Sequence, residues 1–294
     1  MAKRWSGTVL IAVAATLWGS IGVVVALVFQ QMPSNPLLIG VLRLLLAVPV
    51  LWVWHRVVTG QWRITMPTNH WLIAGIGGGA FACYQVSYFA AIPRIGVAMG
   101  VILNICSAPV FTVLLGRLFL GEHATWRQLA AMLGAITGVV LVVMANNATT
   151  PVLNIGAVYA VSAGLCYSIM AVASRRIAAA YAPATTLTAM FGIAALVLVG
   201  CALVVQPPLF LPPTAWYGVL YLALIPTALS YVLYVRGLQQ ASATTATTLT
   251  LLEPLTSTVC AVVLLAEPMA GWAWWGLGLA VVSLWAYARP GAST

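Results

Sequence analysis

The chain has 294 residues, of which 63% are hydrophobic and only 5% charged, and its formal net charge is +9. A soluble domain carries about 25% charged residues, so this composition excludes an ordinary cytosolic enzyme and a disordered chain. The basic residues occur singly or in pairs, which excludes a nucleic-acid-binding domain, and the expected solvent is lipid.

A spanning helix needs roughly 20 apolar residues to cross about 30 Å of hydrocarbon. Ten segments meet that length: 9–29, 37–58, 71–91, 97–119, 126–145, 154–174, 185–205, 214–236, 242–265 and 272–288. They are too long, and alternate too little, for membrane β-strands. The expected fold is therefore an all-α integral membrane protein with ten transmembrane helices.

The first segment follows Lys3 and Arg4 and carries Ala-x-Ala at 12–14, as a secretory signal would. Its apolar run is too long for a signal and continues through Trp18 to Phe29. Trp18 sits mid-span, where an indole N–H finds no partner in lipid; it either lines a wet cavity or packs in the core against an acceptor. Arg43 in the second segment reads as a partner for a distant acid, a clamp for a substrate carboxylate, or a snorkelling residue. The third segment opens with Gly75, Gly77, Gly78 and Gly79, suited to close packing, and continues to Tyr84, Gln85 and Tyr88. Tyr84 and Tyr88 share a helix face at i and i+4. Asn104 and Ser107 follow in the fourth segment. Unpaired polar groups in hydrocarbon cost several kcal/mol, so these residues face a substrate cavity or hydrogen-bond between helices.

Gly134 and Gly138 give the fifth segment a small-xxx-small face, which permits a homodimer without excluding a monomer. Tyr167 lies near the middle of the sixth. The ninth opens with Ser242, Thr244, Thr245, Thr247, Thr248 and Thr250. Thr245 is the candidate cavity residue among them; the competing reading returns each hydroxyl to an i−4 carbonyl. Glu253 is the one acid near mid-membrane, and it either couples transport to protons or is a neutral structural group beside Pro254. Pro109, Pro226 and Pro254 should kink their spans, and Pro109 and Pro254 are candidate gating hinges.

Alternating sides along the chain puts Lys3, Arg4, Arg56, Arg63, Arg117, Arg127, Arg175, Arg176, Arg236 and Arg289 together, against Arg94 alone. Both termini are then expected in the cytoplasm. Ten Trp residues fall near span ends as an aromatic belt, and His55, His70 and His123 fall at the cytoplasmic edge. All five Cys lie within spans as packing residues. With no C-x-x-C, H-E-x-x-H or G-x-x-x-x-G-K-S/T, neither metal nor cofactor is expected.

The chain repeats itself. Pro109 and Glu122 are 13 residues apart, as are Pro254 and Glu267, and the pairs are offset by 145. At an offset of 149, Val9, Ala14, Trp18 and Val23 meet Val158, Ala163, Tyr167 and Val172. Ser87-Tyr88 matches Ser230-Tyr231. This divides the chain into 1–147 and 148–294. Five spans is an odd number, so the second half is inverted relative to the first, the layout of many secondary transporters.

The element Pro109 … Leu118-Phe119-Leu120-Gly121-Glu122 … Leu133-Gly134 … Gly138 resembles the drug/metabolite transporter superfamily. Within it the chain is similar to the ten-span EamA-type exporters and, more loosely, to the YddG-like aromatic amino-acid exporters. Pro254 … Leu264-Leu265-Ala266-Glu267 … Gly276 … Gly278 is a more degenerate second copy. The resemblance implies a central cavity ringed by spans 1–4 and 6–9, with spans 5 and 10 peripheral. It also implies a multi-pass protein of the plasma membrane, here a bacterial inner membrane. The expected function is export of small metabolites, above all neutral or aromatic amino acids, by alternating access. Substrate-binding candidates are Trp18, Tyr84, Tyr88, Asn104, Tyr167 and Thr245, and the expected partners are a small-molecule substrate and the bilayer. Four-span members of the superfamily carry a mid-membrane Glu in their first span. None lies between Val9 and Phe29, which favours facilitative uniport. The alternatives are a proton-coupled drug or metabolite antiporter and a lipid or nucleotide-sugar translocator of the same fold. An intramembrane enzyme would need a nucleophile–base or metal constellation, and none is found.

Overall fold

A computed structural model describes residues 6–31, 36–146, 155–206, 212–265 and 271–288. The expected junction at 147–148, Trp5, and Glu267, the repeat mate of Glu122, lie outside the described residues. Among the described residues there is helix and turn and no strand. Nine stretches of the described residues are long and apolar enough to cross a membrane, and a shorter apolar helix, Ala273–Tyr287, follows them.

The helices start and stop where local chemistry dictates. α1 (Gly7–Trp18) begins at Ser6, whose Oγ accepts from the Val9 N–H. It breaks at Gly19 and resumes as α2 (Ser20–Gln31). α3 (Pro36–Thr59) ends at Gly60, φ +75°. α5 (Trp126–Asn146) begins with a capping box: the Thr125 N–H donates to Gln128 Oε1 at 2.9 Å and the Gln128 N–H to Thr125 Oγ1 at 3.3 Å. α6 (Ile155–Ala178) is followed by α7 (Pro183–Val205), with Pro183 at its first position.

α4 (Thr68–Leu120) departs from expectation. Helical hydrogen bonding continues past Pro93, where a loop was expected between spans three and four. The chain nevertheless reverses. In a straight helix Tyr84 and Asn104 would stand about 30 Å apart, yet the Tyr84 hydroxyl lies at the Asn104 side chain. A Cβ on Gly100 would touch the Tyr88 ring at 3.8 Å. The two legs, Thr68–Ile95 and Met99–Leu120, are the two expected spans.

The eighth span is composite: α8 (Ala215–Leu222), a π-helical segment (Ala223–Leu229) and α9 (Ser230–Leu238). Pro226 sits in the wide segment, where its missing N–H explains the extra residue per turn. The ninth span is broken at Thr250-Leu251 between α10 (Ala243–Leu249) and α11 (Leu252–Leu265). Pro254 falls in the first turn of α11, where a proline needs no N–H, so it marks a helix start rather than an interior kink. Pro109 is accommodated inside α4 without a break.

Packing joins the two halves. Gly7 of α1 lies against the Gly237 carbonyl, and Gly19 against Thr256 and Ser257 of α11. A Cβ on Gly164 of α6 would approach the Asn104 carbonyl to 2.6 Å, and Ser168 Oγ donates to Ala108 O at 2.8 Å, tying α6 to the second leg of α4. α5 packs chiefly on α12 (Ala273–Ala288), with Gly138 against Gly276 and Ala280 and Gly134 against Ser283. The small-residue face that a dimer contact would use is thus already covered within one chain. Outside, Val204 is 85% exposed and Leu196 75%, with Trp126, Trp274, Trp275 and Trp285 also exposed. So apolar a surface suits lipid. His55, expected at the interface, is instead buried, with Nδ1 2.8 Å from Thr185 Oγ1.

Candidate substrate site

Aromatic side chains from both halves meet at the centre of the bundle. The first leg of α4 supplies Phe81, Tyr84 and Tyr88; Tyr84 stacks on Tyr88 at 6.3 Å and on Phe81 at 5.8 Å. α6 supplies Tyr167, whose ring lies 5.6 Å from Tyr84. α7 supplies Phe191, and α9 supplies Tyr231, which meets Phe81 at 5.5 Å and Phe191 at 4.9 Å. The structure thus brings together Tyr84, Tyr88, Asn104 and Tyr167, four of the six expected binding residues. Asn104 is buried beside the Tyr84 hydroxyl.

Trp18 belongs to the layer behind. It is 3% exposed, its indole N–H donates to the Pro226 carbonyl at 2.7 Å, and its ring packs on Tyr231 at 4.7 Å and Tyr234 at 5.3 Å. Of its two readings this structure has the packed core aromatic, with the Pro226 carbonyl as its acceptor. Thr245 is not in the cluster. It lies in the first turn of α10, where its N–H donates to Ser242 Oγ at 3.0 Å. There it borders a cleft of about 490 Å³ with Thr8, Glu122, His123, Gln128 and Gln240. Other ninth-span hydroxyls turn back on their own helix: Thr248 Oγ1 donates to Thr244 O at 2.8 Å and Thr247 Oγ1 to Ala243 O at 3.1 Å.

Two hydroxyls stand out by what they lack. Tyr167 and Tyr234 face each other, but neither oxygen makes a hydrogen bond of good geometry, although both are buried. Unpaired groups of this kind cost about 1–3 kcal/mol each.

Charge reaches the cluster from two sides. Arg43 of α3 turns inward, and its Nε–H donates to Thr227 Oγ1 at 3.1 Å. Thr227 Oγ1 in turn donates to Leu222 O at 2.7 Å, the carbonyl that the missing Pro226 N–H would meet in an α-helix. Arg43 therefore does not snorkel. Glu253 stands at the start of α11, directly after the break in the ninth span. Arg43, Glu253, Tyr84 and Tyr231 are within electrostatic range of one another, with no ion pair within 4 Å among the described residues. Sequence reasoning missed Tyr231 and Thr227 as site residues. Tyr231 was within reach, because the repeat aligns it with Tyr88.

Comparison with known proteins agrees with this architecture. The chain is 26% identical over 278 residues to "Uncharacterized transporter YwfM" of Bacillus subtilis (strain 168), covering 93% of this chain and 90% of that protein. A crystal structure sharing 20% identity superposes with a TM-score of 0.83 over 96% of each chain, which shows the shared fold. The sequence model described as "EamA-like transporter family" matches twice, at residues 5–144 and 154–288. With one family unit in each half and apolar helices throughout, the chain belongs to the EamA-like transporter family of the drug/metabolite transporter superfamily and is a multi-pass membrane transporter.

Proposed function

We propose that the protein exports small metabolites, neutral and aromatic amino acids first among them, by alternating access and as a facilitative uniporter. The observation that carries this reading is the central cluster of Tyr84, Tyr88, Tyr167 and Tyr231, drawn from both halves. Ring faces take up apolar side chains, and the Tyr167 hydroxyl, buried without a hydrogen bond of good geometry, offers a contact to a polar ligand atom. The paired contacts between halves support an inverted repeat with the boundary at 147–148: span one packs on span nine and span six on span four. On this reading α12 is the tenth span, both termini are cytoplasmic, and the protein resides in the plasma membrane. The breaks at Gly19 and Thr250-Leu251 and the π-helical segment supply places where the halves flex.

The test is flux of labelled phenylalanine into liposomes holding the purified protein, with and without an imposed pH gradient. Saturable equilibration indifferent to pH is the expected result. No flux above empty liposomes would overturn phenylalanine as substrate. Accumulation above equilibrium would favour the second reading, proton coupling, in which Glu253 is the carrier. What speaks for that reading is the position of Glu253 inside the bundle with no ion pair within 4 Å.

A further inference from the structure

We infer that Arg43 and Glu253 are the two poles of a site that reads both ends of a zwitterion. This rests on the amino-acid reading above and assigns the residues that would enforce it. Arg43 lies six residues in from Leu37 at one end of its span, about 9 Å deep at the helical rise. Glu253 lies ten residues in from Ala243, about 15 Å along its own span. Both are deep enough that lipid headgroups do not serve them. They are within electrostatic range of each other but form no ion pair within 4 Å.

The guanidinium is held by its neck. Nε–H bonds to Thr227 Oγ1, and Thr227 is itself fixed on Leu222 O. A guanidinium has five N–H donors, and the bond to Thr227 uses one. The outer edge, the one that grips carboxylates in bidentate fashion, is bonded to no described residue. The Glu253 carboxylate, at the start of α11, accepts no hydrogen bond from any described residue. Tyr84 and Tyr231 are within electrostatic range of both charges.

Two opposite charges held apart in a low-dielectric bundle each leave a position for a counter-charge. A ligand carrying an ammonium and a carboxylate on neighbouring atoms fills both positions at once. A ligand with one charge fills one pole and leaves the other unpaired within the bundle. That penalty makes discrimination of about 100-fold the expected scale. The aromatic walls accept the side chain and are tolerant of its shape, so the charges set the class of substrate and the rings set its size.

The experiment uses the full-length protein in liposomes and three ligands with the same phenyl ring: phenylalanine, 2-phenylethylamine and 3-phenylpropanoate. Each competes against labelled phenylalanine in counterflow. For the wild type, both one-charge analogues are expected to compete about 100-fold more weakly than phenylalanine. Arg43→Gln should lose the preference over phenylethylamine and keep the preference over phenylpropanoate. Glu253→Gln should do the reverse. Arg43→Lys and Glu253→Asp keep each charge and should keep both preferences in direction, weakened for Arg43→Lys by loss of the bidentate edge, which separates a charge effect from misfolding. The wild-type comparison needs no variant: analogues competing as well as phenylalanine overturn the inference outright. If wild type prefers phenylalanine and both Gln variants fold and keep both preferences, the clamp falls and the amino-acid carrier stands. If wild type carries an analogue and not phenylalanine, the carrier reading and the clamp fall together.

Discussion

Glu122 offers the sharpest test of how the two halves are joined. It sits just past α4, where Gly121 takes φ +66° and the Glu122 N–H closes on Gly116 O at 3.0 Å. From there its carboxylate reaches the start of α10, 121 residues on. Oε1 accepts from the Ala243 N–H at 2.8 Å; Oε2 accepts from the Thr244 N–H at 3.2 Å and Thr244 Oγ1 at 3.3 Å. The contact is a helix cap supplied by the other half of the molecule. A side-chain cap is worth about 0.5–2 kcal/mol, and a negative charge at a helix N-terminus adds about 0.3–1 kcal/mol. Glu122→Gln keeps the shape and one amide oxygen but loses the charge and the second acceptor. We expect it to cost about 1–2 kcal/mol, which lowers the unfolding midpoint in detergent by about 2–6 °C. Because the cleft beside Glu122 is bordered by Thr245, a Thr245→Cys reporter should be alkylated faster when combined with Glu122→Gln than alone. The same free energy sets that factor at about 5–30-fold. An unchanged midpoint together with an unchanged alkylation rate would refute the reasoning.

Other perturbations follow from single contacts. Trp18→Phe keeps a ring against Tyr231 and Tyr234 but strands the Pro226 carbonyl, so it should destabilise by about 1–3 kcal/mol; a thermal midpoint equal to wild type would remove that bond from the account. Tyr167→Phe deletes a buried hydroxyl without a partner and should leave stability unchanged or raise it by about 1 kcal/mol while slowing flux; faster flux would show that the hydroxyl does not meet substrate. Gly138→Ala would push a Cβ to 2.6 Å from Ala280 N and Gly276 O and should abolish monodisperse protein on size exclusion, whereas Gly192→Ala, with nothing within 4 Å, should elute as wild type.

Much of the fold was legible because the bilayer imposes one period and one length. The ten apolar segments recur within a few residues as nine long apolar helical stretches and the shorter α12. What stayed illegible depends on which side of a helix faces what. Trp18 and Tyr84 are both mid-span aromatics, and sequence could not tell that one meets the Pro226 carbonyl while the other meets Asn104 and Tyr167. Thr245 and Asn104 were ranked alike as polar residues in apolar runs, although one sits at a capped helix start and the other lies in the cluster. The uninterrupted helical bonding through Pro93 was also invisible, since a proline near a long apolar run signals an end as readily as a tight reversal.

The irregular backbone around the eighth span bears on why these residues lie where they do. Inside a membrane every freed carbonyl must find a donor within the protein. Around the π-helical segment three carbonyls take side-chain donors: Leu222 O takes Thr227 Oγ1, Ile225 O takes Ser230 Oγ at 2.8 Å beside the Ser230 backbone N–H, and Pro226 O takes the Trp18 indole. Two of those donors are short hydroxyls on the same span, but the third comes from the first span, in the opposite half. The side-chain donor at Pro226 O is thus the one that arrives from another span. The same Thr227 that repairs Leu222 also accepts from Arg43. A change in the pitch of this segment would thus move Arg43 and release or grip Trp18 in one step, linking the charge that faces the centre to the contact that joins the halves. A π-helical turn that returned to α-helical geometry would withdraw the acceptor from Trp18, so a fluorescence change at Trp18 on adding phenylalanine, absent in Arg43→Gln, is the expected sign of that link. Equal responses in both proteins would separate the two events.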